Sequence, residues 1–158
     1  AGYQVALMAP TGILAEQQLK TSDLTLEITE NVLMDSNPDT LTTINEVHAL
    51  GIRLAMDDFG TGYSSLSYLR RIPIQELKLD RSFVHDLEHD TTSQALSEAV
   101  IRIGESLKLR VVAEGIETLG QQRILQEQGY HVGQGYLISR PLSAPGLRLW
   151  LEDRSYCE

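Results

Sequence analysis

Apolar and polar residues follow two different periods along this chain, and the two periods alternate. Residues 24–28 alternate between apolar and polar side chains, which predicts a strand. Residues 53–56, 76–80 and 110–113 predict three more strands, and residues 130–132 predict a weaker fifth one. Helical patterns separate these strands. The order predicts an α/β fold of mainly parallel strands that alternate with helices.

The helical segments have recognisable ends and apolar faces. One helix begins at Pro38 and ends before Gly51, and its apolar face contains Leu41, Ile44 and Val47. A longer helix begins at Thr92. Its predicted apolar face comprises Leu96, Ala99, Val100, Ile103 and Leu107.

Further helices are predicted from local signals. Thr118 is the expected N-cap of a helix that ends at Gln128. Shorter helices are predicted at residues 64–69 and 144–151. In the first twenty residues the pattern is weak and suggests a strand, a turn and a short helix.

Each predicted strand ends in a charged or amide side chain. In chain order these are Glu27 and Glu30, Asp57 and Asp58, Lys78 and Asp80, Glu114 and Glu117, and Gln134. In parallel α/β folds, ligands bind where the carboxyl ends of the strands meet. Crowded carboxylates require protons or cations to neutralise them. Oxygen ligands favour Mg²⁺ or Mn²⁺, or Ca²⁺.

The adjacent pair Asp57 and Asp58 suggests two-metal phosphoryl chemistry. Two metals about 3.5–4 Å apart can activate a bridging water and stabilise a leaving oxygen. Asp57 would bridge the metals, and Lys78 would orient the water or offset developing charge. Taken singly, these residues have simpler interpretations, since Glu27 could face solvent and either aspartate could cap a helix. The pattern leaves both interpretations open.

Composition and charge limit the possible partners. The 158 residues are 42% apolar, which suits one domain with a core, and no apolar run approaches the roughly 18 residues of a membrane span. The net charge of −9 argues against binding DNA and means that a phosphate ligand would need cations. No signal peptide is visible. The single cysteine, Cys157, permits no internal disulfide, which suits a reducing compartment.

The ordered motifs resemble those of the EAL-domain cyclic di-GMP phosphodiesterases. The motifs occupy residues 26–30, 57–65, 78–80, 113–117 and 134–136, and the resemblance covers about residues 23–142. It implies a (β/α)8 (TIM)-like barrel that hydrolyses cyclic di-GMP to linear pGpG with Mg²⁺ or Mn²⁺. It also implies a place in the bacterial cytoplasm, alone or within a larger membrane-anchored sensor protein.

The resemblance assigns roles by position. Glu27, Asp57, Asp58 and Glu114 match the metal ligands, and Lys78 matches the lysine beside the attacking water; Lys78, Asp57 and Glu114 are the expected catalytic residues. Glu30 matches a residue that steadies the loop after Asp58, a loop linked to homodimerisation. Asp80, Glu117 and Gln134 match supporting or substrate-binding positions.

The sequence also departs from the family pattern. The Glu-Ala-Leu strand and the following asparagine strand of the family are not recognisable. Residues 14–16 do not form that motif, and Asn31 follows a different strand. Such barrels need about 250 residues. We therefore expect residues 1–158 to be a single EAL-like domain, shortened at its N-terminus, that forms part of the barrel.

A partial barrel has two consequences. It leaves a sheet edge open, which predicts low stability or association through that edge. It also leaves an alternative function, in which a catalytically degenerate module binds cyclic di-GMP or a protein partner without hydrolysis.

Overall fold

The computed structural model describes residues 20–29, 38–61 and 69–154. The elements in these residues are β1 (Thr25–Thr29), α1 (Pro38–Ala49), β2 (Arg53–Phe59), β3 (Glu76–Leu79), α2 (Arg81–His85), α3 (Thr91–Leu107), β4 (Arg110–Ala113), α4 (Leu119–Gln128), β5 (Val132–Gly133) and α5 (Ala144–Arg154). A 3-10 turn at Thr21–Asp23 precedes β1. The predictions for residues 1–19 and 64–68, for Glu30 and for most of the loop after Asp58 lie outside the described residues.

The described strands form one parallel sheet. Its order is β1-β2-β3-β4-β5, so neighbours in sequence are also neighbours in the sheet. Helices lie between β1 and β2, between β3 and β4, and between β4 and β5. The carboxyl ends of the strands therefore lie along one edge of the sheet. This arrangement is that of part of a (β/α)8 barrel. Within the described residues, no helix is both long and apolar enough to cross a membrane.

Four strands differ in their limits from the prediction. β1 spans Thr25–Thr29 rather than residues 24–28. β2 extends to Phe59 rather than Met56, because its pairing with β3 continues as far as the pair Phe59 and Leu79. β3 ends at Leu79, one residue early, since Asp80 instead caps the unpredicted helix α2. β5 begins at Val132 rather than at residue 130. The backbone amide of Tyr130 instead donates to the carbonyl of Leu125 at 2.9 Å and so belongs to the end of α4.

Two helices run further than predicted. α3 begins one residue early, at Thr91, because the side chain of Asp90 caps it by accepting hydrogen bonds from the amides of Thr92 and Ser93. α5 continues to Arg154. The limits of α1 and α4 agree with the prediction.

The core lies between the sheet and its helices. Ile44 of α1 is buried and its neighbours Leu41 and Val47 are partly buried, as predicted. The predicted face of α3 is partly wrong, because Leu96 is 44% exposed and Ala99 is exposed as well. The residues that α3 buries are Ser93, Ser97, Val100, Ile101 and Gly104. These small residues allow α3 to approach β4 closely, since a Cβ at Gly104 would lie 2.1 Å from Cγ2 of Val111.

Candidate metal centre

Asp57 and Asp58 lie at the end of β2, where the strand departs from regular geometry. The pairing with β3 shifts register between Met56 and Phe59, and Asp58 has a left-handed backbone with φ of 54°. In a regular strand, consecutive side chains point to opposite faces. Here one oxygen each of Asp57, Asp58 and Glu114 lie within 4.8 Å of one another. The irregularity therefore lets consecutive carboxylates share one site.

These three residues are called the acidic cluster below. Asp57 and Asp58 lie inside β2, and Glu114 follows the last residue of β4 directly. The amide of Glu114 donates to the carbonyl of Leu79 at 3.2 Å, which continues the ladder between β3 and β4. The sheet therefore sets the position of all three backbones. Both aspartates lie inside a strand, and the prediction of a cap for the helix at residues 64–69 lies outside the described residues.

Lys78 lies beside the acidic cluster and is buried. Its side chain is 6% exposed, and Nζ lies 2.6 Å from Oε1 of Glu114 and 3.0 Å from Oδ1 of Asp57. A third carboxylate, that of Glu27 on β1, contacts Nζ at 2.6 Å. Glu27 pairs with the lysine and lies outside the acidic cluster as defined by Asp57, Asp58 and Glu114. Carboxylates from β1, from β2 and from the residue after β4 thus converge on the ammonium group of β3.

The charges at the site shift one another's proton affinities. Burial by itself would lower the pKa of Lys78, but its contacts with Glu114, Glu27 and Asp57 outweigh burial and raise that pKa. The lysine is therefore protonated at neutral pH. It supplies a fixed positive charge and three N–H donors, and cannot serve as a base there.

Two carboxylates of the cluster hold protons more tightly than usual. Burial, followed by repulsion from Asp57 and Asp80, raises the pKa of Asp58. Burial also raises the pKa of Glu114, and the opposing effect of Lys78 does not cancel it. The charged forms of both groups are therefore under-compensated by the protein alone.

Asp80 and Gln134 contact members of the cluster. Asp80 follows β3, caps α2 by accepting from the amide of Ser82 at 2.9 Å, and interacts with Asp58. Burial by itself would raise the pKa of Asp80, but the hydrogen bonds from Ser82 and the contact with Asp58 outweigh burial and lower that pKa. Gln134 follows β5, and its Nε2 donates to Oε1 of Glu114 at 2.6 Å. Each of the two residues therefore adjoins one carboxylate of the cluster.

Glu117 lies in the loop between β4 and α4. Glu117 is exposed to solvent, and its backbone amide donates to Oε1 of Gln121 at 2.8 Å. The sequence interpretation included Glu117 but omitted Gln121, which is 4% exposed. A sequence signal was present, because Thr118 and Gln121 have the spacing of a capping box.

A sequence model of the family described as "EAL domain" matches residues 7–141. The chain belongs to the EAL domain family. This confirms the resemblance inferred from the five motifs.

A curated relative and two solved structures show how far the similarity extends. The chain is 42% identical over 134 residues to the bifunctional diguanylate cyclase/cyclic di-GMP phosphodiesterase MucR of Pseudomonas aeruginosa. This match covers 85% of this chain and 20% of MucR. The PaMucR phosphodiesterase in complex with c-di-GMP has a TM-score of 0.80 at 42% identity, over 86% of this chain and 55% of that chain.

The second structure is that of Klebsiella pneumoniae BlrP1 with manganese and c-di-GMP. It has a TM-score of 0.75 at 37% identity, over 81% of this chain and 33% of that chain. BlrP1 has also been solved with calcium and c-di-GMP. The predicted fold, a partial TIM-like barrel, is confirmed by these EAL structures. The chain spans about a fifth of the length of the curated relatives that it matches.

The acidic cluster of this EAL chain has the properties of a cation site. Oδ1 of Asp57 is buried and accepts no hydrogen bond from the described residues, since its contact with Lys78 has ion-pair distance without hydrogen-bond geometry. A buried carboxylate oxygen is costly unless a cation or a hydrogen-bond donor meets it, and here one ammonium group is shared by three carboxylates. The neighbouring ligand atoms are all oxygens, which hard divalent cations prefer. The residues therefore fit a divalent cation held by Asp57, Asp58 and Glu114.

Proposed function

We propose that this chain hydrolyses cyclic di-GMP to linear pGpG, using Mg²⁺ or Mn²⁺ held at the acidic cluster. The observation that carries the proposal is the placement of Lys78, a buried ammonium that contacts Glu27, Asp57 and Glu114 from three strands. Two of these carboxylates also belong to the cluster. One site therefore combines a fixed cation with ligands for a divalent one.

The charge balance explains why a metal is part of the proposal. The site gathers carboxylates around a single lysine; these are Glu27, Asp57, Asp58, Asp80 and Glu114. Such a site repels the phosphates of a cyclic dinucleotide. Divalent cations would reverse the local charge, so that an anionic substrate is attracted.

Hydrolysis adds water across one phosphodiester bond. A bond forms between the water oxygen and phosphorus, the bond from phosphorus to a ribose oxygen breaks, and that oxygen takes up a proton. A bound divalent cation would supply a water of lowered pKa and stabilise negative charge on the phosphate oxygens. In the proposed role, Lys78 donates hydrogen bonds to the attacking water or to a phosphate oxygen.

The remaining residues orient this machinery. Asp57 and Glu114 would hold the cation while contacting Lys78, so they would fix the distance between the two positive charges. Gln134 holds Glu114 at 2.6 Å, and Asp80 contacts Asp58. Glu27 would act as a metal ligand or as a partner of Lys78, and the pairing at 2.6 Å supports the second role most directly. Glu117 is assigned to substrate binding.

The relatives support the same substrate. MucR has cyclic di-GMP phosphodiesterase in its name, and the PaMucR and BlrP1 structures contain c-di-GMP. Manganese and calcium in the BlrP1 structures support the choice of a divalent cation.

A product assay tests the proposal. The chain is incubated with cyclic di-GMP and Mn²⁺ or Mg²⁺, and pGpG is measured by chromatography and mass spectrometry. We expect product with the unaltered chain and a loss of about 100-fold or more in Lys78→Met. Lys108→Met is the matched control, because Lys108 is exposed at the end of α3. Equal rates in the unaltered chain and Lys78→Met would contradict the mechanism.

Calorimetric titration with cyclic di-GMP identifies the alternative function. Binding without formation of pGpG would reject the hydrolase and support a degenerate EAL module that binds the nucleotide. Absence of both binding and product would favour a module that serves a protein partner.

Self-association and location are further parts of the proposal. β1 and β5 are the two edges of the described sheet, so a second copy could associate through an edge or through the loop after Asp58. Size-exclusion chromatography with light scattering tests this, and a concentration-independent monomer would contradict it. We propose action in the bacterial cytoplasm, where cyclic di-GMP signalling takes place.

A further inference from the structure

Gln121 makes an unusual set of contacts for a residue in the first turn of a helix. Its Oε1 accepts hydrogen bonds from two consecutive backbone amides, those of Glu117 at 2.8 Å and Thr118 at 3.0 Å. A capping box requires only the second of these bonds. The additional bond, from the amide of Glu117, connects α4 to the loop that begins at Glu114.

The same side chain also reaches the segment that follows β3. Nε2 of Gln121 donates to the carbonyl of His85 in α2 at 3.4 Å. α2 comes directly after the strand that carries Lys78. One buried amide thus links the loop that carries Glu114 to the segment after the strand that carries the lysine.

The opposite side of the loop is held by the turn after β5. The amide of Ile116 donates to the carbonyl of Gln134 at 3.1 Å, and the amide of Leu137 donates to the carbonyl of Ile116 at 3.0 Å. The approach is close, since a Cβ at Gly135 would lie 2.1 Å from the oxygen of Ile116. The loop of residues 114–118 is therefore hydrogen-bonded on two sides. The turn after β5 makes the contacts on one side, and Gln121 makes those on the side of α4.

We infer that Gln121 is a positioning residue for the loop of residues 114–118, and that through this loop it keeps the carboxylate of Glu114 in the acidic cluster. A neutral amide suits this role, because it accepts two hydrogen bonds without adding charge beside a cluster that already lacks compensation. The effect on the cation rests on the proposed function. The effect on the loop does not.

The test uses the full chain and three variants. Gln121→Met keeps the length of the side chain and removes its acceptor and donor. Gln121→Glu keeps an acceptor for both amides and serves as the rescue for amide exchange alone, because its added charge would itself change Mn²⁺ affinity. Gln128→Met is the matched control, because Gln128 lies on the same helix and bonds Ser97 at 2.6 Å and the carbonyl of Gln94 at 3.0 Å, away from the loop.

Three measurements are made on each variant. Hydrogen exchange of the Glu117 and Thr118 amides is followed by NMR, and Mn²⁺ affinity is measured by titration. The side-chain NH₂ resonance of Gln134 reports the position of Glu114, because the two side chains are hydrogen-bonded. In Gln121→Met we expect about tenfold faster exchange at both amides and Mn²⁺ affinity lowered by about tenfold or more. Gln121→Glu should restore slow exchange.

The controls separate positioning from general stability. The inference is overturned if Gln121→Met leaves the two amides protected, or if Gln128→Met lowers Mn²⁺ affinity as much as Gln121→Met. If the unaltered chain binds no Mn²⁺, the proposed function fails. The Gln134 resonance then decides: a shift in Gln121→Met but not in Gln128→Met supports positioning, and no shift overturns it.

Discussion

The carboxylates of Asp57 and Asp58 meet at one site although their residues are consecutive in a strand. Asp58 has φ of 54°, and the strand loses its regular register with β3 between Met56 and Phe59. The carbonyl of Asp58 accepts a bond from the hydroxyl of Thr61 at 2.9 Å, which supports the turn that follows. Backbone strain of this kind is concentrated at functional sites.

This conformation predicts how position 58 responds to substitution. Asparagine tolerates the left-handed region, so Asp58→Asn should keep the free energy of unfolding while weakening Mn²⁺ binding. A β-branched side chain does not tolerate that region, so Asp58→Val should lower the free energy of unfolding by about 1–2 kcal/mol or more. Urea denaturation measures both values. Equal stability of the two variants would show that the backbone does not require the left-handed conformation.

Removing the charge of Lys78 should destabilise the chain when no metal is added. Lys78→Met leaves the carboxylates of Asp57 and Glu114 without their partner. Breaking a buried pair costs about 3–5 kcal/mol, and partial exposure of Glu27, at 38%, reduces this to about 2–4 kcal/mol. Urea denaturation at pH 7 in the presence of a chelator measures the loss, and Lys108→Met is again the control.

The same variant should respond to pH in a defined direction. The pKa values of Asp58 and Glu114 are already raised, and loss of the lysine raises that of Glu114 further. A carboxyl whose pKa is higher in the folded than in the unfolded state favours folding as the pH falls. The stability deficit of Lys78→Met should therefore shrink as the pH falls from 7 towards the pKa of free glutamate. A deficit that grows would contradict this account.

Asp90 should make α3 sensitive to acid. Hydrogen bonds from the hydroxyl and amide of Ser93 and from the amide of Thr92 lower the pKa of Asp90 below the ordinary value of an aspartate. Its contribution to stability is therefore complete above that value and is lost as the pH falls through the lower folded pKa. Asp90→Asn keeps a capping oxygen but cannot titrate. In urea denaturation between pH 2 and 6, the difference between the two proteins should disappear at the acid end.

Gly135 should not tolerate a methyl group. Gly135→Ala would force the turn after β5 away from the loop of Ile116, since the added carbon would lie 2.1 Å from a backbone oxygen. We expect a loss of about 1–3 kcal/mol in the free energy of unfolding. Gly146→Ala is the matched control, because its nearest contact, Oγ of Ser143, is at 3.3 Å. Similar losses in both variants would argue against close packing at Gly135.

Most of the architecture was predictable because its signals are local. The alternation of residues 24–28 and the ends of α1 and α4 depend on side chains a few positions apart. Gly104 shows the limit of such reasoning, since α3 packs on its small residues and leaves Leu96 exposed. Hydrophobicity alone favoured Leu96. The choice between faces depends on which side chains of β4 and α4 the helix meets.

The candidate site was predictable as a set of residues but not as a geometry. Polar strand ends in a parallel fold must converge on one edge, so the sequence by itself brought the candidate residues together. The order of its five motifs indicated the family. Only the tertiary structure decided that Lys78 is shared by three carboxylates, that Glu27 pairs with it, and that Gln121 holds the loop of Glu114. These contacts depend on strand register and on the backbone angle of Asp58, which local patterns of polarity do not specify.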